Sequence, residues 1–183
     1  MAVSLGPSGL VLDNYTLPNN SGEGINQVKF ASNNGKITVS GTSWVDVGLS
    51  VTLTPKDSNS KFFIMYSLGR ATTDQHNMDH AGVLRVLRNG SNSDLNGITA
   101  GNRPRIAGAI YGLAFNDDHA PGPWSFSGVD SPGTSSSITY KLQARNQASD
   151  RQLHINGSIN NSDSGSVFHG RAISYLLVME ILT

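Results

Sequence analysis

Three places in the chain bring together side chains able to do chemistry. The first is Asp74-Gln-His76-Asn-Met-Asp79-His80, two imidazoles and two carboxylates within seven residues, a donor set that suits a divalent metal ion. On a helix His76 and His80 would share a face, but the flanking residues carry no helix signal. The zinc-protease spacing His-Glu-x-x-His is also missing. His76, Asp79 and His80 are therefore candidate ligands set against a solvated loop, unless a symmetric oligomer gathers one His per subunit near its axis. The second place is Asp117-Asp118-His119, followed by Trp124 and Phe126. Adjacent carboxylates diverge on an extended chain and make a poor calcium or acid–base pair. Aromatic rings beside Asp, Asn and His suit a platform for a sugar ring, so Asp117, Asp118, His119 and Trp124 form a candidate glycan site. The competing reading is that Trp124 anchors its loop to the core. The third place is Glu180, a carboxylate inside the apolar run Ile173 to Leu182. Buried there, it must be paired or hydrogen-bonded.

Other chemistries lack their parts. No Gly-x-Ser-x-Gly elbow and no Gly-rich phosphate loop ending in Lys-Ser/Thr occurs, and there is no cysteine. Glu23 and Glu180 are the only glutamates, and neither is placed as an acid–base group for glycoside cleavage. The expectation is a non-enzymatic protein without a cofactor. Its 13 basic and 13 acidic residues cancel, which removes the electrostatic argument for a nucleic-acid partner or a charged membrane surface. No apolar stretch has the length of a membrane span, and the N-terminus lacks the basic-then-apolar pattern of a secretory signal. Membrane insertion is not expected, and synthesis in a cytoplasm is.

The elements that must position these residues are strands. Charged residues are scarce, and Gly, Ser, Asn and Thr are abundant, the composition of a turn-rich β protein. Residues 1–25 are broken by Gly6-Pro7, Asp13-Asn14 and Pro18 to Gly22, and read as an extended arm that orders on a neighbour. Residues 26–183 form the domain. Gln27–Ala31 and Lys36–Ser40, joined by Asn33-Asn34-Gly35, read as a hairpin. Two short strands follow, Ser43–Val47 and Leu49–Thr54, with Trp44 assigned to the sandwich. Lys61–Leu68, Gly82–Arg88 closed by Asn89-Gly90, a segment from Ala107 to Phe115, Ser137–Arg145, Gln152–Asn156 and the C-terminal run complete the set. Residues 91–135 otherwise read as long and irregular. Ile138, Tyr140, Leu142 and Ala144 alternate with polar neighbours and should face inward. Turn-punctuated strands without a convincing helix predict an all-β, antiparallel β-sandwich, jelly-roll-like in plan.

Two strands are apolar on both faces. In one, Phe62, Ile64, Tyr66 and Leu68 oppose Phe63 and Met65; in the other, Tyr175, Leu177 and Met179 oppose Leu176 and Val178. Such strands need cover on both sides. With no helix to supply the second cover, another copy of the chain is the simplest candidate. The interface set is then Phe63, Met65, Tyr175, Leu176, Leu177 and Val178, with either face of the last strand turned to the partner. Glu180 is expected to meet Arg85 or Arg88 across that interface.

Several blocks, in this order and spacing, carry a resemblance. They are Leu49 to Lys61 (LSVTLTPKDSNSK), Leu84 to Gly90 (LRVLRNG), Val129 to Gln143 (VDSPGTSSSITYKLQ), Leu153 to Asn156 (LHIN) and Val178 to Ile181 (VMEI). Together, over about residues 40–183, they resemble a β-sandwich module of virion structural proteins of tailed phages, cyanophage-like, of the head-decoration or fibre-tip type. The resemblance implies a homotrimeric, non-enzymatic protein of the virion surface. One expectation is a capsid decoration (cement) protein or small fibre knob, held to a major capsid or tail protein by residues 1–25. The alternative is a receptor-binding tail-fibre tip that recognises host surface glycan. In these blocks Asp130 and Pro132 read as a turn clamp, Asn89-Gly90 as a hairpin turn, and Asn156 as a side chain that ties down a neighbouring loop.

Overall fold

The fold was obtained as a computed structural model, which describes residues 5–6, 9–10, 24–74, 81–111 and 122–182. The strands are β1 (Leu5–Gly6), β2 (Gly9–Leu10), β3 (Gly24–Asn33), β4 (Ile37–Ser40), β5 (Val45–Leu53), β6 (Lys61–Thr73) and β7 (Ala81–Arg88). They continue with β8 (Ser91–Asn92), β9 (Gly108–Tyr111), β10 (Gly122–Asp130), β11 (Ile138–Asn146), β12 (Gln152–Ile155) and β13 (Ser174–Leu182). One 3-10 turn, Val167–His169, precedes β13. β1 and β2 pair with each other, and β3 already begins within the segment read as the arm.

Every strand pair is antiparallel. The first sheet runs β3-β13-β6-β10, and β12 and β4 extend it beside the far end of β6. The second runs β5-β11-β7, with β8 and β9 sharing the other edge of β7. Four strands, β3-β13-β6-β10, thus face four, β5-β11-β7-β9, with the chain crossing between layers in the jelly-roll order. The core between them is apolar. Phe62, Ile64, Tyr66 and Leu68 of β6, with Leu176 and Val178 of β13, meet Val47, Leu49 and Val51 of β5 and Tyr140 and Leu142 of β11. Each such side chain, fully buried, contributes roughly 1.5–3 kcal/mol of transfer free energy.

The strand alternation of residues 138–146 holds throughout: Ile138, Tyr140, Leu142 and Ala144 are buried, and their neighbours are half-exposed. Three local expectations are corrected. The hairpin of residues 27–40 does not form, because β3 pairs with β13 while β4 pairs with β12. Asn33, at the end of β3, accepts from Gly35 N (2.9 Å) and donates to Val47 O (3.1 Å), which turns the chain away instead of folding it back. The two strands around Gly48 are one strand, β5. Gly48 sits at φ 68° in an irregularity where Lys141 and Gln143 of β11 oppose Ser50 and Asp46. A Cβ there would collide with Asn33 Nδ2, so glycine is required. The irregular stretch 91–135 contains β10, a nine-residue strand paired along β6.

The turn chemistry follows the sequence. Asn89 (φ 49°) and Gly90 (φ 81°) form the two-residue link between β7 and β8, the left-handed pair such hairpins need. Asn156 (φ 64°) donates to Asn33 O (2.8 Å) and Gly35 O (3.2 Å) and accepts from Ser174 Oγ (2.6 Å). One side chain thereby fixes the turn after β3 to the start of β13.

Two buried carboxylates lock loops to the sandwich. Asp130, with no exposed surface, accepts from Arg88 Nη1 (2.7 Å), Tyr140 OH (2.7 Å) and the Asp94 amide (2.7 Å). It joins the end of β10 to both β7 and β11. Burial, and then the hydrogen bond to Asp130, push the Tyr140 hydroxyl well above its ordinary pKa, so it stays a donor. Glu180, also fully buried, accepts from Gln27 Nε2 (2.6 Å) and from the Lys56 amide (2.6 Å), fastening the loop after β5 to the β3–β13 edge. Burial alone would raise the Glu180 carboxyl. The hydrogen bonds from Gln27 and from the Lys56 and Asp57 amides outweigh it and hold the group below its ordinary value.

Replacing Asp130 by Ala leaves Arg88 and Tyr140 facing an empty, buried site and should cost about 3–5 kcal/mol in urea unfolding. Asp46→Ala, which removes an exposed pair with Lys141, should cost about 1 kcal/mol or less; equal losses would contradict the assignment. For Glu180 the depressed folded-state pKa sets the sign. Its stabilisation is present above the unfolded value of 4.5 and is lost as pH falls through the lower folded value. Glu180→Gln should be less stable than the parent at about pH 7, by about 1–3 kcal/mol, and should lose less on going to about pH 3. Parallel acid limbs for the two proteins would refute this.

Candidate functional site

The two outer faces of the sandwich differ in kind. On the β5-β11-β7 sheet the outward side chains form a polar chain. Lys141 Nζ and Gln143 Nε2 donate to Asp46 (2.8 and 2.6 Å), and Arg85 donates to Gln143 Oε1 (2.9 and 2.6 Å). Arg85 and Arg145 stack over Trp44 at 4.2 and 5.0 Å from its ring centre. The hydrogen bonds from Lys141 and Gln143 hold the Asp46 carboxyl below its ordinary range. Trp44 is thus half-buried beneath two guanidinium groups on the outside of the sheet, where its face attracts cations.

The other outer face is apolar. β13 and β6 pair with Tyr175 opposite Ser67, Leu177 opposite Met65 and Met179 opposite Phe63. Directly paired residues share a face, so these side chains point away from the core that holds Leu176 and Val178. β3 adds Phe30 opposite Leu177, Val28 opposite Met179 and, across an irregularity at Asn26, Ile25 opposite Ile181. β10 adds Val129 opposite Phe63. Phe30 is 71% exposed and Ile25, Val28, Val129 and Tyr175 are each about half exposed. This apolar patch is the candidate interaction surface of the protein. Among the described residues Lys61, at one end opposite Ile181, is its only charge, and no carboxylate lies on it.

The structure sorts the residues expected at an interface. Phe63, Met65, Tyr175 and Leu177 lie on this face. Leu176 and Val178 do not: both are buried in the core, so the outward residues of β13 are the odd-numbered ones. Glu180 needs no cation from a neighbour, because Gln27 and the Lys56 amide already satisfy it on the inner side. Arg88 is spent on Asp130 and Arg85 on Gln143 and Trp44, so neither meets Glu180. Trp124 is half-buried and packs on the core, opposite Leu68 in β10, as in the anchoring alternative. His76, Asp79, His80, Asp117, Asp118 and His119 lie outside the described residues. Among the described residues no group of three His, Cys, Asp or Glu side chains is placed to hold a metal ion.

Reading the sequence missed the contributions of Ile25, Val28, Phe30 and Val129. Val28 and Phe30 alternate visibly, but the Asn33-Asn34-Gly35 turn signal draws them into a hairpin. Ile25 and Val28 are three apart and share a face only because of the irregularity at Asn26, which a period-two pattern does not reveal.

No protein-family model matches the chain, and no curated protein matches it as a relative. Among solved structures, the chain is similar to the infectious bursal disease virus VP2 subviral particle, at 12% identity and a TM-score of 0.33. That alignment covers 100% of this chain, which spans 43% of the length of the VP2 chain.

Proposed function

We propose that the protein is a non-enzymatic structural component of a virion surface that assembles with copies of itself through the apolar face of the β3-β13-β6-β10 sheet. The observation that carries this reading is the contrast between the two outer faces. One is a hydrogen-bonded polar layer suited to water, and the other presents Phe30, Val28, Met65 and Tyr175 with no acidic group among them. Among the described residues a single lysine, Lys61, at one end of the face, offers little to steer a charged partner. The best complement of the face is a surface of the same chemistry, which another copy supplies by symmetry. The threefold state and the virion setting come from the resemblance of residues 40–183 to phage head-decoration and fibre-tip modules. In this reading residues 1–25 attach the assembly to a major capsid or tail protein. They join the sandwich at β3, beside the apolar face. A receptor-binding tip that stacks a glycan on Trp124 has less support, because that ring is engaged with the core.

Sedimentation of the purified full chain tests the assembly. The parent should sediment as a trimer, and a Phe30→Asp/Met65→Asp double variant as a monomer with an unchanged far-ultraviolet spectrum, since both side chains lie outside the core. A parent that stays monomeric at high concentration, or a double variant that still forms trimers, would overturn the reading. Copy number per particle then separates a shell-covering decoration protein from a sparse tail appendage.

A further inference from the structure

Away from the apolar face, β10 and β9 are the neighbouring edge strands of the two sheets. A pocket of about 300 Å³ enters there, walled by Leu84, Ile110, Tyr66, Trp124 and Phe126. Leu84, Ile110 and Tyr66 have almost no surface exposed, so the walls are fixed parts of the core. Phe126 stands at the mouth, about half exposed, stacked on Tyr66 with ring centres 6.1 Å apart and 27° between planes.

Two donors in this pocket have nothing to donate to. The Tyr66 hydroxyl and the Trp124 Nε1 hydrogen are both buried and without a hydrogen-bond partner. Burial pushes the Tyr66 hydroxyl well above its ordinary pKa, so it keeps its proton. A buried polar group left unpaired is costly and uncommon in native proteins. Gly108 makes room for it: a Cβ at that position would lie 3.0 Å from the Tyr66 oxygen. Among the described residues the lining is largely apolar, with two donors and no charged residue, the composition of a small-molecule site.

We propose that this pocket binds an uncharged, largely apolar ligand of one or two rings that presents a carbonyl- or ether-type oxygen to Tyr66 and Trp124. Among the described residues no cation lines the walls, which disfavours a carboxylate or phosphate. A sugar fits poorly, because it carries a hydroxyl on most of its carbons and would find too few partners. The volume compares with ~150 Å³ for an apolar cavity that accepts benzene, so a second ring or a short side chain is accommodated. This site is independent of the assembly face and of the virion reading.

The test is a titration of the methyl-labelled full chain with acetophenone and, separately, with ethylbenzene, which has similar bulk and no acceptor. Methyl resonances of Leu84 and Ile110 should shift with both. Acetophenone should bind about three- to tenfold more tightly, the gain of one or two neutral hydrogen bonds. Tyr66→Phe and Trp124→Phe keep the aromatic walls and remove one donor each. Tyr66→Phe should fold at least as stably as the parent, because it deletes an unpaired hydroxyl, and the preference for acetophenone should shrink in each variant and vanish in the double variant. Unmoved Leu84 and Ile110 resonances at millimolar ligand, equal affinity for the two probes, or a preference that survives in the double variant would each overturn the proposal.

Discussion

The register between β6 and β13 decides what the two most apolar strands of the chain are for. Tyr66 lies opposite Leu176 and Met65 opposite Leu177; a slip of one residue would turn the core set outward and the surface set in. Hydrophobicity alone pins this pairing poorly, because both faces of both strands are apolar. Polar contacts specify it. Glu180 accepts from Gln27 on the neighbouring strand and from the loop after β5, and Asn156 holds Ser174 at the other end of β13. In a slipped register the Glu180 carboxylate would point to the apolar exterior or lose its donors, at a cost of several kcal/mol (about 3–5) if it remained buried. The misplaced charge in the run is thus the group that fixes how the run is used.

From that register the difference between the faces follows. The β5-β11-β7 sheet shows ordinary half-buried alternation, with Asp46, Lys141, Gln143 and Arg85 on its outer side. The outer side of the β3-β13-β6-β10 sheet carries Ser32, Ser67, Ser125 and Ser127 among large apolar side chains, and β6 and β13 read from sequence as central strands with one cover missing. A jelly roll alone says nothing of function, since the same layout hosts capsid, lectin and enzyme domains. What separates this chain from a generic sandwich is the chemistry of one face and of one edge pocket.

Much of the fold was legible in the residues. The alternation of 138–145, the Asn89-Gly90 turn and the role of Asn156 all rest on local rules: period-two burial, left-handed φ at Asn-Gly, and a short amide side chain. The misreadings share a cause in long-range competition. Asn33-Asn34-Gly35 looks like a hairpin turn, yet β13 supplies a better partner for β3 than β4 does, and Asn156, more than a hundred residues away, captures the turn. β10 was hidden because Pro123, Ser125, Ser127 and Gly128 dilute its apolar signal, although Trp124 and Phe126 sit at strand spacing and fill the inner side. The partners of Glu180 were uncharged and so invisible to a search for an opposite charge. The pocket depends on two donors having no partner, and no sequence pattern encodes that.

The position of β13 has a consequence for how the protein is made. The last strand of the sandwich lies between the first, β3, and the central strand β6. The first sheet cannot close until Ser174–Leu182 have left the ribosome, because they form its middle. Until then β6 has one edge unpaired and β3 has no neighbour, with Phe30, Phe63 and Met65 all open to chance encounters. Such late, distant pairing makes folding slow, roughly milliseconds to seconds for sandwiches, and prolongs the interval of aggregation risk. Closure of the first sheet and completion of its apolar face are therefore one event.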